Sequence, residues 1–298
     1  MRSRRRMLTS VNDHVRRTLQ ARCIPTVADV SPMQPETPQM SLNDRTSAPP
    51  QKSRQNPLAS SIPSASAHTF VERLVALNSQ AAGMRLRANQ RLSMGTADDT
   101  NIFAIRSGVL LVRAALPHSL TPYLSLKFAG DVISPAAIPV LADRAIIATT
   151  ACEVWRFKVG VLAEFMAAYP DLVLAYEAQR NHQAVRTALH TTIIGALDGH
   201  QRVAAFLIEL AGQIGVPTGG SVLLDLPLSR VEIAQYLSLN ADTLSRIMSR
   251  YKQEGLVSQT NRHRLILRDW KRLLDQCPIA DAILATAPSA FRTAKPTG

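Results

Sequence analysis

The chain has 298 residues, 34 Lys+Arg against 22 Asp+Glu, a formal net charge of +12 and an apolar fraction of 46%. That length allows one large domain or two ordinary ones with a real core, and no run approaches the roughly eighteen uncharged apolar residues of a membrane-spanning helix. The Arg-rich first residues lack an apolar secretory core, and Cys23, Cys152 and Cys277 show no CxxC or Cys/His ligand spacing, so membrane, secreted and zinc-held classes are set aside and a reducing cytoplasm is expected.

Residues 1–67 hold ten Lys+Arg, four Asp+Glu and eight of the eighteen prolines. Stretches such as SAPPQKSRQNPLASSIPSASA are polar and aperiodic, too poor in apolar surface to offset their ordering entropy, and read as a disordered leader. It is either a basic arm or a leader without function, including one from a start placed too early. From Thr69 a short helical pattern (Phe70, Val71, Leu74, Val75, Leu77) precedes strand-like runs. NIFAIRSGVLLVRAAL reads as two strands hinged at Ser107-Gly108, YLSLKFAGDVISP as a strand, a Gly130-Asp131 turn and a short run, and AIIATTACEVWRFK as two more. Short, evenly spaced strands suggest a small β-barrel or sandwich. There is no GxGxxG, and GVPTGGS at 215–221 lacks the lysine of a phosphate loop, so it reads as a surface connection.

After Pro170 the pattern is helical for nearly thirty residues. Leu174, Ala178, Asn181, Val185, Ala188 and Thr192 step by four and three, the repeat of a coiled-coil seam. Small residues there permit close approach, and Asn181 could fix register. The spacing favours a dimer seam over a buried helix of one subunit. A second helix follows from about Gly199 through Val203, Phe206, Leu207 and Leu210.

The sharpest local signal is LPLSRVEIAQYLSLNADTLSRIMSRYKQEGL at 226–256. Ser229 and Glu232 have capping-box spacing, with Ile233, Ala234 and Leu237 facing inward. A turn at Ser238-Leu239-Asn240 leads to a second helix over 241–254, capped by Asn240 and stopped by Gly255. Leu244, Ile247, Met248 and Tyr251 form its inner stripe, while Asp242, Ser245, Arg246, Ser249 and Arg250 face out. This is the geometry of a helix-turn-helix. Asp242, Ser245 and Arg246 are the expected base contacts, because Arg can donate twice to guanine and an acid can accept from cytosine N4. Leu256-Val257, a turn at Thr260-Asn261 and Arg264–Arg268 read as a hairpin completing a winged helix, with Arg262, His263 and Arg264 near phosphates.

In LPLSRVEIAQYLSLNADTLSRIMSRYKQEGLV the chain resembles the CRP/FNR transcription regulators of bacteria. DGHQRVAAFLIEL is similar to that family's junction between dimerisation helix and DNA-binding domain, and Gly95, IRSG at 105–108, FAGDVI at 128–133 and TACEVWRF at 150–157 follow the order of its β-roll sensor. The resemblance implies an α+β chain: a leader over 1–67, a cyclic-nucleotide-binding-like β-roll over 68–168, a dimerisation helix over 169–198, a winged helix-turn-helix over 199–276 and a flexible tail over 277–298. It further implies a homodimer on palindromic double-stranded DNA, with RNA polymerase as a partner if the protein is an activator. Ser229, Arg230, Thr243, Ser249, Arg250, Arg262 and Arg264 are the expected backbone contacts.

Departures from the family matter as much. Members reading the commonest half-site carry Glu where this chain has Asp242, one methylene shorter, and often Gly where it has Ser238. The cyclic-nucleotide members hold phosphate with a Gly-Glu segment and an Arg-Ser/Thr pair, but here Gly130-Asp131 runs into Val-Ile-Ser-Pro and the nearest pair is Arg144-Ala145. Three scattered cysteines cannot hold the family's iron–sulfur cluster, and seven scattered histidines offer only loose haem candidates, better read as surface or capped side chains. No cofactor and no metal is therefore expected. Cys152, beside Glu153, is expected to be inert, because burial and a negative neighbour both raise a thiol pKa. No GxSxG, HExxH or phosphate loop points to an enzyme. A non-sequence-specific architectural DNA protein is the alternative, sharing the charge but needing neither base readers nor a seam.

Overall fold

The computed structural model describes residues 70–74, 82–94, 101–115, 123–138, 143–261 and 263–293. The expectations for 1–67, Val75, Leu77, Gly95 and Arg262, and for the side chain of Arg144, lie outside the described residues.

Among the described residues eight strands form the first part of the fold: β1 (Ala82–Leu86), β2 (Arg91–Leu92), β3 (Asn101–Ser107), β4 (Leu110–Ala115), β5 (Tyr123–Lys127), β6 (Val132–Ile133), β7 (Asp143–Ala148) and β8 (Cys152–Lys158). They pair antiparallel as two four-stranded sheets, β1-β8-β3-β6 and β2-β7-β4-β5. The hinge between β3 and β4 needs Gly108, whose φ is +89° and where a Cβ would collide with the Ala151 carbonyl and the Cys152 sulfur. Phe103, Ile105, Leu110, Val112, Ile146 and Val154 fill the space between the sheets. On the other side of β3, Ile102 and Ala104 pack with Phe70, Leu74, Phe157 and Leu172. Buried on both faces, β3 reads as a continuous apolar run rather than an alternating one.

Helix α1 (Val159–Ala168), which the sequence reading did not separate, leads into α2 (Pro170–Ala196), 27 residues long with Pro170 at its first turn. Leu172, Gln179, Gln183, Arg186 and Ile193 are its buried residues. Two of the buried polar ones are held by Asp131. Arg186 donates to Asp131 Oδ2 at 2.7 Å and Oδ1 at 3.1 Å and lies over the Phe128 ring at 4.9 Å, while Gln179 Nε2 donates to Oδ1 at 2.9 Å. Removing one partner of such a pair costs about 3–5 kcal/mol, because the other charge is stranded. The turn residue Asp131 is thus the anchor of the long helix.

The C-terminal part is built on α3 (Gly199–Ile214), capped by Asp198 and Gln201 and buried from Val203 to Gly212. It carries β9 (Val216–Thr218), β10 (Ser221–Asp225), α4 (Arg230–Tyr236), α5 (Ala241–Gln253), β11 (Val257–Gln259), β12 (Arg264–Leu267) and α6 (Trp270–Asp275). The strands form one sheet, β11-β12-β10-β9. GVPTGGS, read as a surface connection, is exposed or half-buried throughout and holds strand β9 and the Gly219-Gly220 turn into β10, with Gly219 at φ +61°. One reading needs correction here. Within the tail expected to be flexible over 277–298, residues 277–293 instead form α7 (Ala280–Ala285) and α8 (Ser289–Thr293), with Ile283, Leu284, Ala287 and Phe291 buried, and residues 294–298 lie outside the described residues. Ile279, Ile283, Ala287 and Phe291 recur every four residues, a helical spacing that the sequence reading passed over. The recognition helix ends at Gln253 with Glu254 as C-cap, one residue short of the expected 241–254, a difference within ordinary end fraying.

Candidate nucleic-acid interface

Local chemistry fixes both helices of the motif. Ser229 Oγ accepts from Glu232 N at 3.3 Å, and Glu232 Oε2 accepts from Ser229 N at 2.8 Å, a complete capping box. Ile233, Ala234, Tyr236 and Leu237 then point into the core. The turn places Ser238 at φ +51°, a left-handed position that costs a non-glycine residue about 1–3 kcal/mol. Arg202 secures it from α3, donating to Leu197 O at 2.8 Å and to Leu237 O at 3.2 Å. Asn240 Oδ1 accepts from Asp242 N at 2.8 Å and starts α5, and Gly255 closes it at φ +73°.

Leu244, Ile247, Met248 and Tyr251 are all buried, and the Tyr251 hydroxyl donates to His200 O at 2.9 Å. With that stripe fixed inward, Asp242, Thr243, Ser245, Arg246, Ser249 and Arg250 are all exposed on the outer face. Among the described residues none pairs with the side chain of Asp242 or Arg246. The other basic positions differ. Arg250 donates to Glu254 at 2.7 Å, which holds its pKa above the usual guanidinium range. Arg230 is half-buried against the wing, donating to Gln259 at 3.0 Å, and burial lowers its pKa. Arg264 grips Asp225 on β10 through two bonds of 2.7 and 3.1 Å, which holds the Asp225 carboxyl below the usual range. A phosphate would have to draw Arg264 from that partner. At the wing turn, Asn261 Oδ1 accepts from His263 N at 2.9 Å and Arg264 N at 2.8 Å.

Two exposed cations near the wing escaped the sequence reading: Lys252, which donates to Gln259 at 3.3 Å, and Arg268, which donates to Ser258 at 2.8 Å. Their only signal was their place on α5 and at the end of β12. The six seam positions Leu174, Ala178, Asn181, Val185, Ala188 and Thr192 all lie on the exposed side of α2, Leu174 at 75% and Val185 at 50% exposure. Cys152 is buried, its thiol donating to Val109 O at 3.3 Å, and burial raises its pKa. Among the described residues no group of three or more His, Cys, Asp or Glu could hold a metal, and no helix is long and apolar enough to cross a membrane.

Residues 201–276 match the family model of the Crp-like helix-turn-helix domain. The nitrogen fixation regulation protein FixK of Azorhizobium caulinodans is 30% identical over 123 residues, 41% of this chain and 50% of that one. A probable transcriptional activator of Rhizobium leguminosarum bv. viciae is 29% identical over 171 residues, covering 57% and 70% respectively. The transcriptional regulatory protein Btr of Bordetella pertussis is 37% identical over 106 residues, 35% of this chain and 41% of that one. The match therefore spans about half the length of the first of these relatives. Among solved structures, FixK2 from Bradyrhizobium japonicum superposes with a TM-score of 0.58 at 21% identity, covering 66% of this chain and 97% of that chain. A CRP-family transcriptional regulator from Thermus thermophilus does so at 0.54 and 17% identity, covering 65% and 95%. At such identities the likeness is one of fold: a cyclic-nucleotide-binding-like β domain followed by a helix-turn-helix.

Proposed function

We propose that this chain, a CRP/FNR-type regulator by its helix-turn-helix domain and its fold, is a sequence-specific transcription regulator that binds a palindromic DNA site as a homodimer in the cytoplasm. The carrying observation is the division of α5: an apolar stripe fully buried, and a polar outer face on which Asp242 and Arg246 stand without partners among the described residues. Inserted in the major groove, that face offers Arg246 to guanine, Asp242 to cytosine N4 and Ser245 as an adaptable donor or acceptor. Ser229, Arg230, Thr243, Ser249, Arg250, Arg262 and Arg264 are assigned to the phosphates of one half-site. The exposed face of α2 supports pairing through Leu174, Ala178, Asn181, Val185, Ala188 and Thr192, which would set two such helices one DNA turn apart. Contact with RNA polymerase follows if the protein activates.

Salt titration on a selected site and on scrambled DNA tests the reading. A regulator prefers the selected site by at least ~10³. Equal affinities with the same salt slope would favour the architectural alternative instead.

A further inference from the structure

A winged helix is complete at α6, yet the chain continues and is built into the interior. Helices α7 and α8 lie against α3, with Phe291 edge-on to Trp270 at a centroid distance of 5.9 Å. The contact is close: a Cβ on Gly212 of α3 would stand 3.0 Å from Ala287 Cβ. The carbonyl of Thr286, a buried residue, is the meeting point. His182 Nε2 of α2 lies 2.6 Å from it and Gln213 Nε2 of α3 donates to it at 2.8 Å. A carbonyl oxygen only accepts, so His182 carries its proton on Nε2. Ile283 and Thr286 also close a cavity shared by Arg186, His190 and Ile193 of α2 and Glu209 of α3. Between α2 and α3 the chain itself supplies only Leu197 and Asp198, a short hinge.

We infer that residues 277–293 form an intramolecular strap that fixes the orientation of the DNA-binding domain on α2. Given the dimeric reading above, on which this part rests, the strap also sets the spacing between the two recognition helices. One carbonyl bonded to both helices, with apolar residues packed to either side, adds to the apolar core shared with β4 and β5 a restraint against rotation about the two-residue hinge. A free domain would sample orientations of which a fraction fit DNA, and the apparent Kd rises as that fraction falls.

The test measures distance within one chain. Spin labels at Arg156→Cys on β8 and Gln253→Cys on α5, in a Cys23→Ser/Cys277→Ala background because Cys277 lies in the strap, are read with labelled chains diluted in unlabelled ones; Cys152 is buried in the β domain. Gly212→Leu wedges the strap away from α3. His182→Leu/Gln213→Leu removes both bonds to Thr286 and leaves the apolar packing, so it decides the matter if the wedge does not fold. The full chain should give one narrow distance distribution and each folded variant a clearly broader one. On DNA, operator affinity should fall about threefold to tenfold, and the penalty for one extra base pair between half-sites should shrink. A folded variant that keeps the narrow distribution overturns the strap. Broad distances with no dependence on half-site spacing overturn the dimeric-site reading and leave the strap standing.

Discussion

At the residue scale, Arg246 and Arg264 separate two kinds of contact. Arg246 has no partner among the described residues, whereas Arg264 is held by Asp225. Arg246→Ala should cost ~1–3 kcal/mol on the preferred site and relax choice at one base pair, while Arg264→Ala should weaken every sequence alike and lower the salt slope by about one unit. Asp242→Glu carries a carboxylate one methylene deeper into the groove, and should shift preference toward the half-site of Glu-bearing relatives. Selection from randomised half-sites reads all three, and a uniform loss for Arg246→Ala would remove it from the base readers. His190 gives a pH prediction. It stacks on Tyr236 at 4.2 Å, and burial pushes its pKa down to about 4. The folded value lies below the unfolded one of about 6.5, so as pH falls the unfolded chain takes up the proton first. The stability tied to the neutral ring is complete above about pH 6.5 and lost on the way to pH 4, on the order of 2–3 kcal/mol. Burial pushes the Glu209 carboxyl up, which acts in the opposite sense. The difference between the native protein and His190→Phe is therefore the quantity to read by thermal melts. Parallel curves across pH 4–7 would show that His190 carries none of it.

At the element scale, what was legible followed from short-range rules. The Ser229–Glu232 capping box, the αL glycine and the inner stripe of α5 each depend on residues within one or two turns, so spacing reveals them, although the same spacing at Asp198 and Gln201 was passed over. Asp131 and Arg186 are 55 positions apart, and no local pattern marks a turn aspartate as a buried anchor. The same holds for 277–293, whose apolar residues find their partners on α2, α3 and α6, far away in sequence or on another element. Ser238 was visible as a departure from glycine, but its strain needed the observed φ of +51°. For α2 the seam pattern and the burial are complementary: the face that Asp131 holds is buried, and the face with the four-three spacing is open. Val185→Asp should then abolish dimers while leaving the fold intact, since Val185 is 50% exposed in the single chain, whereas a charge in a packed interface is heavily penalised. Sedimentation equilibrium decides it, and a dimeric, folded variant would move the interface off this face.

At the scale of the whole molecule, the question is what the β domain transmits. Its interior is lined by Leu86, Leu92, Phe103, Ile105, Leu110, Ile133 and Ile146, side chains that offer a nucleotide phosphate no donor. The buried acid at the β5–β6 turn, Asp131, is engaged by Arg186, Gln179 and the Phe128 amide. Freeing it for a ribose would strand the Arg186 charge at about 3–5 kcal/mol, a sum that ligand contacts would have to exceed before any affinity appeared. Meanwhile Leu111 of β4 and Leu126 of β5, with Val109 just before β4 and Phe128 just after β5, share one apolar cluster with Ile193, Leu197 and the DNA-binding domain. The two parts are thus joined through a common core. Cyclic AMP at millimolar concentration should leave both the melting temperature and operator affinity unchanged. A ligand bound at about one hundred times its Kd would stabilise the fold by about 2.7 kcal/mol, a shift that calorimetry resolves easily. Such a shift, abolished by Arg144→Ala, would mean that the β domain opens to take a nucleotide and that its packed interior is only one of two states.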